Sequence, residues 1–266
     1  MSRIDQAFTR LRGGKRKALT IFLTAGDPSL ARTVDLVKAA ADNGADIVEL
    51  GLPFSDPLAD GPVIQESFLR AIAGGTNVIK SLAMVERLRI SCDVPLVAML
   101  ASTLVINHGT PRFMKDAAAA GFDGIIIPDA PVDEYDEFLE PARKAGLDTI
   151  LLAAPTSGPA RMKRIAAIST GFLYYINVTG VTGGADAKPA SIAKDVKTLK
   201  GMTKTPVLAG FGISTPAQAK AFAAVADGII IGSQAMRVIR SVKRTADAPA
   251  ALGAFVRSVR NGMDGR

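Results

Sequence analysis

Short apolar runs recur along this chain at near-regular intervals, at 19–23, 47–50, 96–100, 125–127, 150–153, 172–176, 207–208 and 229–231. Each is too short for a buried helix, and their continuous apolar character is that of strands covered on both faces. Between them the apolar residues fall at helical spacing, over 30–43, 63–73 with 77–91, 111–120, 133–145, 159–168, 190–200 and 216–225. Two further stretches run from 235 and near 248–260. Strands alternating with helices predict a parallel sheet under a helical layer. Eight such units predict an α/β fold of the TIM type, a single (β/α)8 barrel, rather than an open doubly wound sheet. Ile4, Phe8 and Leu11, ended by Gly13-Gly14, add an N-terminal capping helix, and the doubled stretches place extra helices in the second and eighth units. No linker or low-complexity tract divides residues 1–266, so one domain is expected.

One run breaks the apolar rule. Glu49 lies in the second strand, where an ionisable group is costly unless it is used. Eleven residues later comes Asp60, reached through a loop stiffened by Pro53, Pro57 and Pro62, each with its φ fixed. The two carboxylates are therefore held at the mouth of one strand. Barrels keep their chemistry in the segments that follow the strands. Here those segments are rich in Gly, Pro and small hydroxyl residues: Thr24-Ala25-Gly26-Asp27-Pro28, Asp129-Ala130-Pro131, Pro155-Thr156, 179–184, Gly210-Phe211-Gly212-Ile213-Ser214 and Gly232-Ser233. Glycines let backbone N–H groups approach an anion, and Gly-Ser at a helix start aims free N–H groups and the positive helix end at it. The late Gly-rich loops thus read as a phosphate site, while Gly210-Phe211-Gly212 lacks the third glycine of a dinucleotide fingerprint.

Absences narrow the chemistry. None of the eight runs contains a lysine for a Schiff base, Lys188 being the nearest. With one His (His108) and one Cys (Cys92), neither a metal site nor a Ser-His pair is expected. Carboxylate acid/base catalysis remains. Glu49, desolvated, is expected to have a raised pKa and to give and take a proton near neutrality; Asp60 is expected to stay ionised and to accept from a polar N–H.

Charge changes the picture little. The net +7 arises at the ends: residues 1–17 and 237–266 each carry +5, and the rest carries −3. With no Trp and three Tyr, nothing interleaves aromatics with cations, so no nucleic-acid partner is expected. No apolar stretch approaches the roughly 20 residues of a membrane span. A lone cysteine and the lack of an apolar N-terminal segment make the cytoplasm the expected compartment.

Phe22-Leu23-Thr24-Ala25-Gly26-Asp27-Pro28, the segment from Glu49 to Gln65, 124–131, Ala154-Pro155-Thr156, Gly180-Val181-Thr182-Gly183, Gly210-Phe211-Gly212-Ile213-Ser214 and Gly232-Ser233 together resemble the tryptophan synthase alpha chain family over essentially the whole length. The resemblance implies a lyase that cleaves indole-3-glycerol phosphate by retro-aldol reaction to indole and glyceraldehyde 3-phosphate. It also implies assembly of two alpha with two beta chains, with indole passing through a tunnel to the beta chain. No cofactor is implied in this chain, pyridoxal phosphate being expected only in the beta chain. Glu49 matches the family's proton-moving glutamate and Asp60 the aspartate that holds the indole N–H. Phe22, Leu100, Asp129, Tyr174, Thr182, Gly183 and Phe211 match substrate-side positions, Gly212, Gly232 and Ser233 the phosphate cradle, and Pro53 and Asp56 the contact to the beta chain.

The chain departs from the family after strand three, where Met99-Leu100-Ala101-Ser102-Thr103 replaces Met-Tyr-x-Asn, and at Asn177 and Gln234. These departures bear on substrate packing and signalling between subunits. They also keep open a second reading, a catalytically weakened regulatory subunit that binds and activates a beta chain. Retention of both Glu49 and Asp60 argues for the lyase.

Overall fold

A computed structural model describes residues 1–57, 60–176, 189–210 and 212–266. In chain order the elements are α1 (Arg3–Gly13), β1 (Ala18–Thr24), α2 (Leu30–Asp42), β2 (Ile47–Gly51), α3 (Pro62–Ala73), α4 (Val78–Arg89) and β3 (Leu96–Met99). There follow α5 (Ser102–His108), α6 (Thr110–Ala120), β4 (Gly124–Ile126), α7 (Asp136–Ala145), β5 (Asp148–Thr149), β6 (Leu152–Ala153) and α8 (Pro159–Ile168). The last are β7 (Leu173–Ile176), α9 (Pro189–Met202), β8 (Val207–Gly210), α10 (Pro216–Val225), β9 (Gly228–Ile231), α11 (Ser233–Ser241) and α12 (Ala248–Asp264).

All strand pairs are parallel, in the order β5-β4-β3-β2-β1-β9-β8-β7-β6. The two ends of that order are halves of one extended stretch. Ile150 N–H donates to the Ile125 carbonyl at 3.0 Å, and Tyr174 N–H donates to the Leu151 carbonyl at 3.0 Å, so 148–153 is bonded on both sides and the sheet closes into a barrel. The fifth apolar run is therefore one strand position in two pieces, beginning at Asp148. All seven residues of β1 and all five of β2 are buried, as expected of strands between a barrel interior and a helical layer.

The expected capping helix is α1. It begins in a capping box between Ser2 and Asp5 and buries Ile4, Phe8 and Leu11 against the N-terminal ends of the strands. Each such side chain contributes about 1.5–3 kcal/mol by leaving water. Ser2 Oγ donates to Asp148 at 2.7 Å and Arg3 pairs with Asp123 at 3.0 Å, which fixes the helix as a floor.

That floor repeats one device. Asp46, Asp123 and Asp227 stand just before β2, β4 and β9, and each carboxylate accepts an N–H at the start of a neighbouring strand: Leu19, the second residue of β1, at 2.9 Å, Leu96 at 2.8 Å and Val207 at 3.0 Å. Each also pairs with a helix cation, Arg260, Arg89 and Lys200 respectively. Register and helix docking are thereby set by the same three residues.

The doubled helices of the second unit (α3, α4) and the last (α11, α12) are present as expected. A further one, α5, occupies the third unit, where no helix before 111 is predicted. The helix predicted over 133–145 is a 3₁₀ turn, Val132–Glu134, followed by α7. Among the described residues no helix is long and apolar enough to cross a membrane.

Candidate active site

Glu49 is the third residue of β2, level with Phe22 of β1 and Val97 of β3. It is 1% exposed, and its Oε2 has no hydrogen-bond partner among the described residues. A buried carboxylate oxygen without a donor is rare and holds its proton tightly. Burial, reinforced by the charge of Asp60, pushes the Glu49 pKa up to about 8.

Asp60 lies just ahead of α3. Its N–H donates to the Pro57 carbonyl at 3.1 Å, and Gln65 Nε2 on α3 donates to the Asp60 carbonyl at 2.7 Å and to that of Pro57 at 3.3 Å. Gln65 thus ties the loop to the helix, a role that sequence reasoning missed. The Asp60 carboxylate is not as freely ionised as expected. Burial first, and then the charge of Asp129, push its pKa up to about 6, so it is ionised at pH 7 but gains a proton well before an ordinary aspartate does.

Aromatic rings complete the mouth. A Cβ added to Gly51 would lie 2.5 Å from the Phe22 ring, and one added to Gly210 would lie 2.3 Å from the Tyr174 ring and 2.6 Å from its hydroxyl. The strand ends Gly51 and Gly210 are glycine because Phe22 and Tyr174 fill that space. For Gly210 this differs from a role in anion binding. Burial first, and then the charges of Glu49 and Asp60, raise the Tyr174 pKa well above its usual value.

A cavity of about 220 Å3 brings Asp60, Leu100 and Asp129 together, walled by Phe54, Phe68 and Met99. Asp129 is less free than a substrate ligand would be. Its carboxylate accepts the Ser102 N–H at 2.8 and 3.1 Å and the Ser102 hydroxyl at 2.9 Å, capping α5 from the neighbouring loop after β4. The altered segment after strand three is therefore the first turn of a helix clamped to the fourth loop. Of the expected contact residues, Pro53 is buried within the chain, while Asp56 is exposed.

At the other side of the mouth, α11 starts at Ser233 with Gly232 before it and no side-chain cap. The neighbouring α10 has a full capping box from Thr215 and Gln218. The free N–H groups of α11 are an opening for an anion. Gly212 has φ +70° and is exposed. Thr182, Gly183 and Phe211 lie outside the described residues.

The sequence profile of the family described as tryptophan synthase alpha chain matches residues 8–263. The chain belongs to the tryptophan synthase alpha chain family. It is 48% identical to an alpha chain of Geobacter sulfurreducens over 238 residues, 90% of each chain. It is 43% identical to that of Burkholderia multivorans over 266 residues, 100% of this chain and 98% of the other. Among solved structures, the alpha subunit from Legionella pneumophila superposes with a TM-score of 0.93 at 34% identity, each chain covered in full. A tryptophan synthase of M. tuberculosis in its aminoacrylate-bound form gives 0.88 at 32% identity, covering 99% of this chain and 100% of that one. Membership makes the chain a lyase of tryptophan biosynthesis that cleaves indole-3-glycerol phosphate, and it implies a beta-chain partner.

Proposed function

We propose that Glu49 carries the proton transfers of this lyase and that Asp60 anchors the indole. The observation that carries this reading is the buried Glu49 carboxyl, whose Oε2 has no partner among the described residues and whose pKa lies near 8, together with an Asp60 that is ionised at neutral pH. At pH 7 Glu49 is mostly protonated and gives its proton to C3 of the indole ring. The ring becomes a cation, and Asp60, accepting from the ring N–H, stabilises the charge. Glu49, now a carboxylate, takes the proton of the glycerol hydroxyl next to the ring. The C–C bond to C3 breaks, its electron pair returns to the ring to restore indole, and the hydroxyl carbon becomes the aldehyde of glyceraldehyde 3-phosphate. Leu100 and Phe22 supply apolar wall, Tyr174 packs beside the carboxylates, and Gly212, Gly232 and Ser233 receive the phosphate. Thr182, Gly183 and Phe211 belong to this site through the family likeness alone.

The chain uses no cofactor of its own, and pyridoxal phosphate resides in the beta chain. It acts in the cytoplasm within an assembly of two alpha and two beta chains. The exposed Asp56 carries the contact to the beta chain, and the buried Pro53 shapes the loop that presents it. Residues 1–266 act as one domain, a reading supported by a hydrophobic core that runs unbroken from Ile4 to Val259. The test is release of indole from indole-3-glycerol phosphate by the purified chain, alone and with a beta chain. Release in both, faster with the partner, is expected. Binding to the beta chain with no indole under either condition overturns the reading in favour of a regulatory subunit.

A further inference from the structure

The floor of the barrel, at the opposite end from Glu49, carries a cavity that the lyase reaction does not use. About 510 Å3 in volume, it opens where α1 and the turn into β1 meet the end of α9. Its apolar wall is formed by Phe8, Leu11 and Pro206. Its rim is cationic: Arg12, Lys15, Arg16 and Lys17 on one side, Lys200 and Lys204 on the other, against the single carboxylate of Asp227.

That carboxylate is already engaged, by Lys200 and by the Val207 N–H at 3.0 Å. Arg16 pairs with Asp264 at 3.2 Å, and Lys17 Nζ donates to the Ala226 carbonyl at 2.8 Å. Arg12, Lys15 and Lys204 have no ion-pair partner among the described residues. Lys15 has φ +51°, a left-handed conformation uncommon outside glycine, and the Arg16 N–H closes that turn onto the Leu11 carbonyl at 2.8 Å. Burial holds the Lys17 pKa below the usual lysine range, even with Asp227 opposing the effect.

Clustered like charges without counter-charges repel one another, and a bound anion relieves that repulsion. The volume lies within the range of small-molecule sites. Unpaired cations stand on both sides of the opening, more than one phosphate group can satisfy at once. A single-stranded nucleic acid is a poorer fit, because the only aromatic here, Phe8, is buried in the wall and offers no stacking face.

We propose that this cavity is a second ligand site, for a small molecule bearing a di- or triphosphate. The phosphate chain would lie between Arg12, Lys15 and Lys204, at the opening of the cavity walled by Phe8, Leu11 and Pro206.

The test is isothermal titration of the full chain with tripolyphosphate and, separately, with ATP, at about 150 mM salt, where charges more than roughly 8 Å apart are screened. Saturable one-site binding is expected. It should weaken about tenfold or more in the Arg12→Gln/Lys204→Gln double variant and in Lys15→Gln, the scale of losing charge-assisted hydrogen bonds. Indole release without added ligand should be unchanged in both variants, which also shows that they are folded. Equal affinity for the two probes assigns recognition to the phosphate chain, and tighter ATP assigns it to a nucleotide; either supports the site. Absence of saturation, or equal affinity in wild type and both variants, places the anion elsewhere and overturns the proposal.

Discussion

Glu49 owes its behaviour to where β2 puts it. Its pKa near 8 lies above the ordinary value of 4.5, so the folded state binds its proton more tightly than the unfolded chain does. Stability from this group is therefore full below pH 4.5 and is lost as pH rises through about 8. Glu49→Gln removes that loss, and urea denaturation at pH 8 should find the variant more stable by about 1–3 kcal/mol. Activity should follow a bell in kcat/KM. The acid limb lies near pH 6, where Asp60 gains a proton and stops accepting; the basic limb lies near pH 8, where Glu49 has lost the proton it must give. Gly210→Ala should drive its Cβ into Tyr174, costing about 1–3 kcal/mol of stability on thermal melting and lowering activity with it. Glu49 was legible in the sequence because an acid in an apolar run stands out. The influence of Asp129 on Asp60, and the fit of Tyr174 over Gly210, were not. Both join residues far apart in sequence that only barrel closure brings together.

At the scale of elements, the strands and most helices were legible from periodicity, because parallel strands buried on both faces leave unbroken apolar runs. Helix α5 was not. Ser102–His108 is a short stretch with β-branched residues, and its N-terminus is satisfied by Asp129 from another loop rather than by a local cap. Asp129→Asn keeps an oxygen that can accept the Ser102 N–H, so the cap should survive it. The substitution removes the charge that adds to burial in raising the Asp60 pKa, and so should move the acid limb of the pH profile to lower pH, a shift that a purely structural role would not produce. The floor aspartates were equally silent in the sequence, since each looks like an ordinary turn residue. Asp123→Ala leaves Arg89 buried without its partner and the Leu96 N–H without an acceptor. A loss of about 3–5 kcal/mol in urea denaturation is expected.

Across the whole molecule the two ends of the barrel are built for different purposes. The floor is a lattice of ion pairs that sets register and docks helices. At the mouth Glu49 and Asp60 have no ion-pair partner among the described residues, while Asp27 is held by Arg70 at 2.8 Å, aromatic rings are fitted over glycines, and α11 starts without a side-chain cap. Of the basic excess noted at the chain termini, the N-terminal part, Arg12, Lys15, Arg16 and Lys17, lines the floor cavity beside the end of α9, at the opposite end of the barrel from Glu49 and Asp60. The strand-three departure, which in sequence looked like damage to the site, forms a clamped helix beside the cavity that contains Asp60. The central claim is that one carboxyl group, Glu49, moves both protons. Its most direct test is single-turnover indole release from indole-3-glycerol phosphate by Glu49→Gln at pH 7 in the presence of the beta chain. The predicted result is a folded, partner-binding protein whose rate falls by at least about 10²–10⁴-fold. Release at a rate close to that of the wild type would contradict the account.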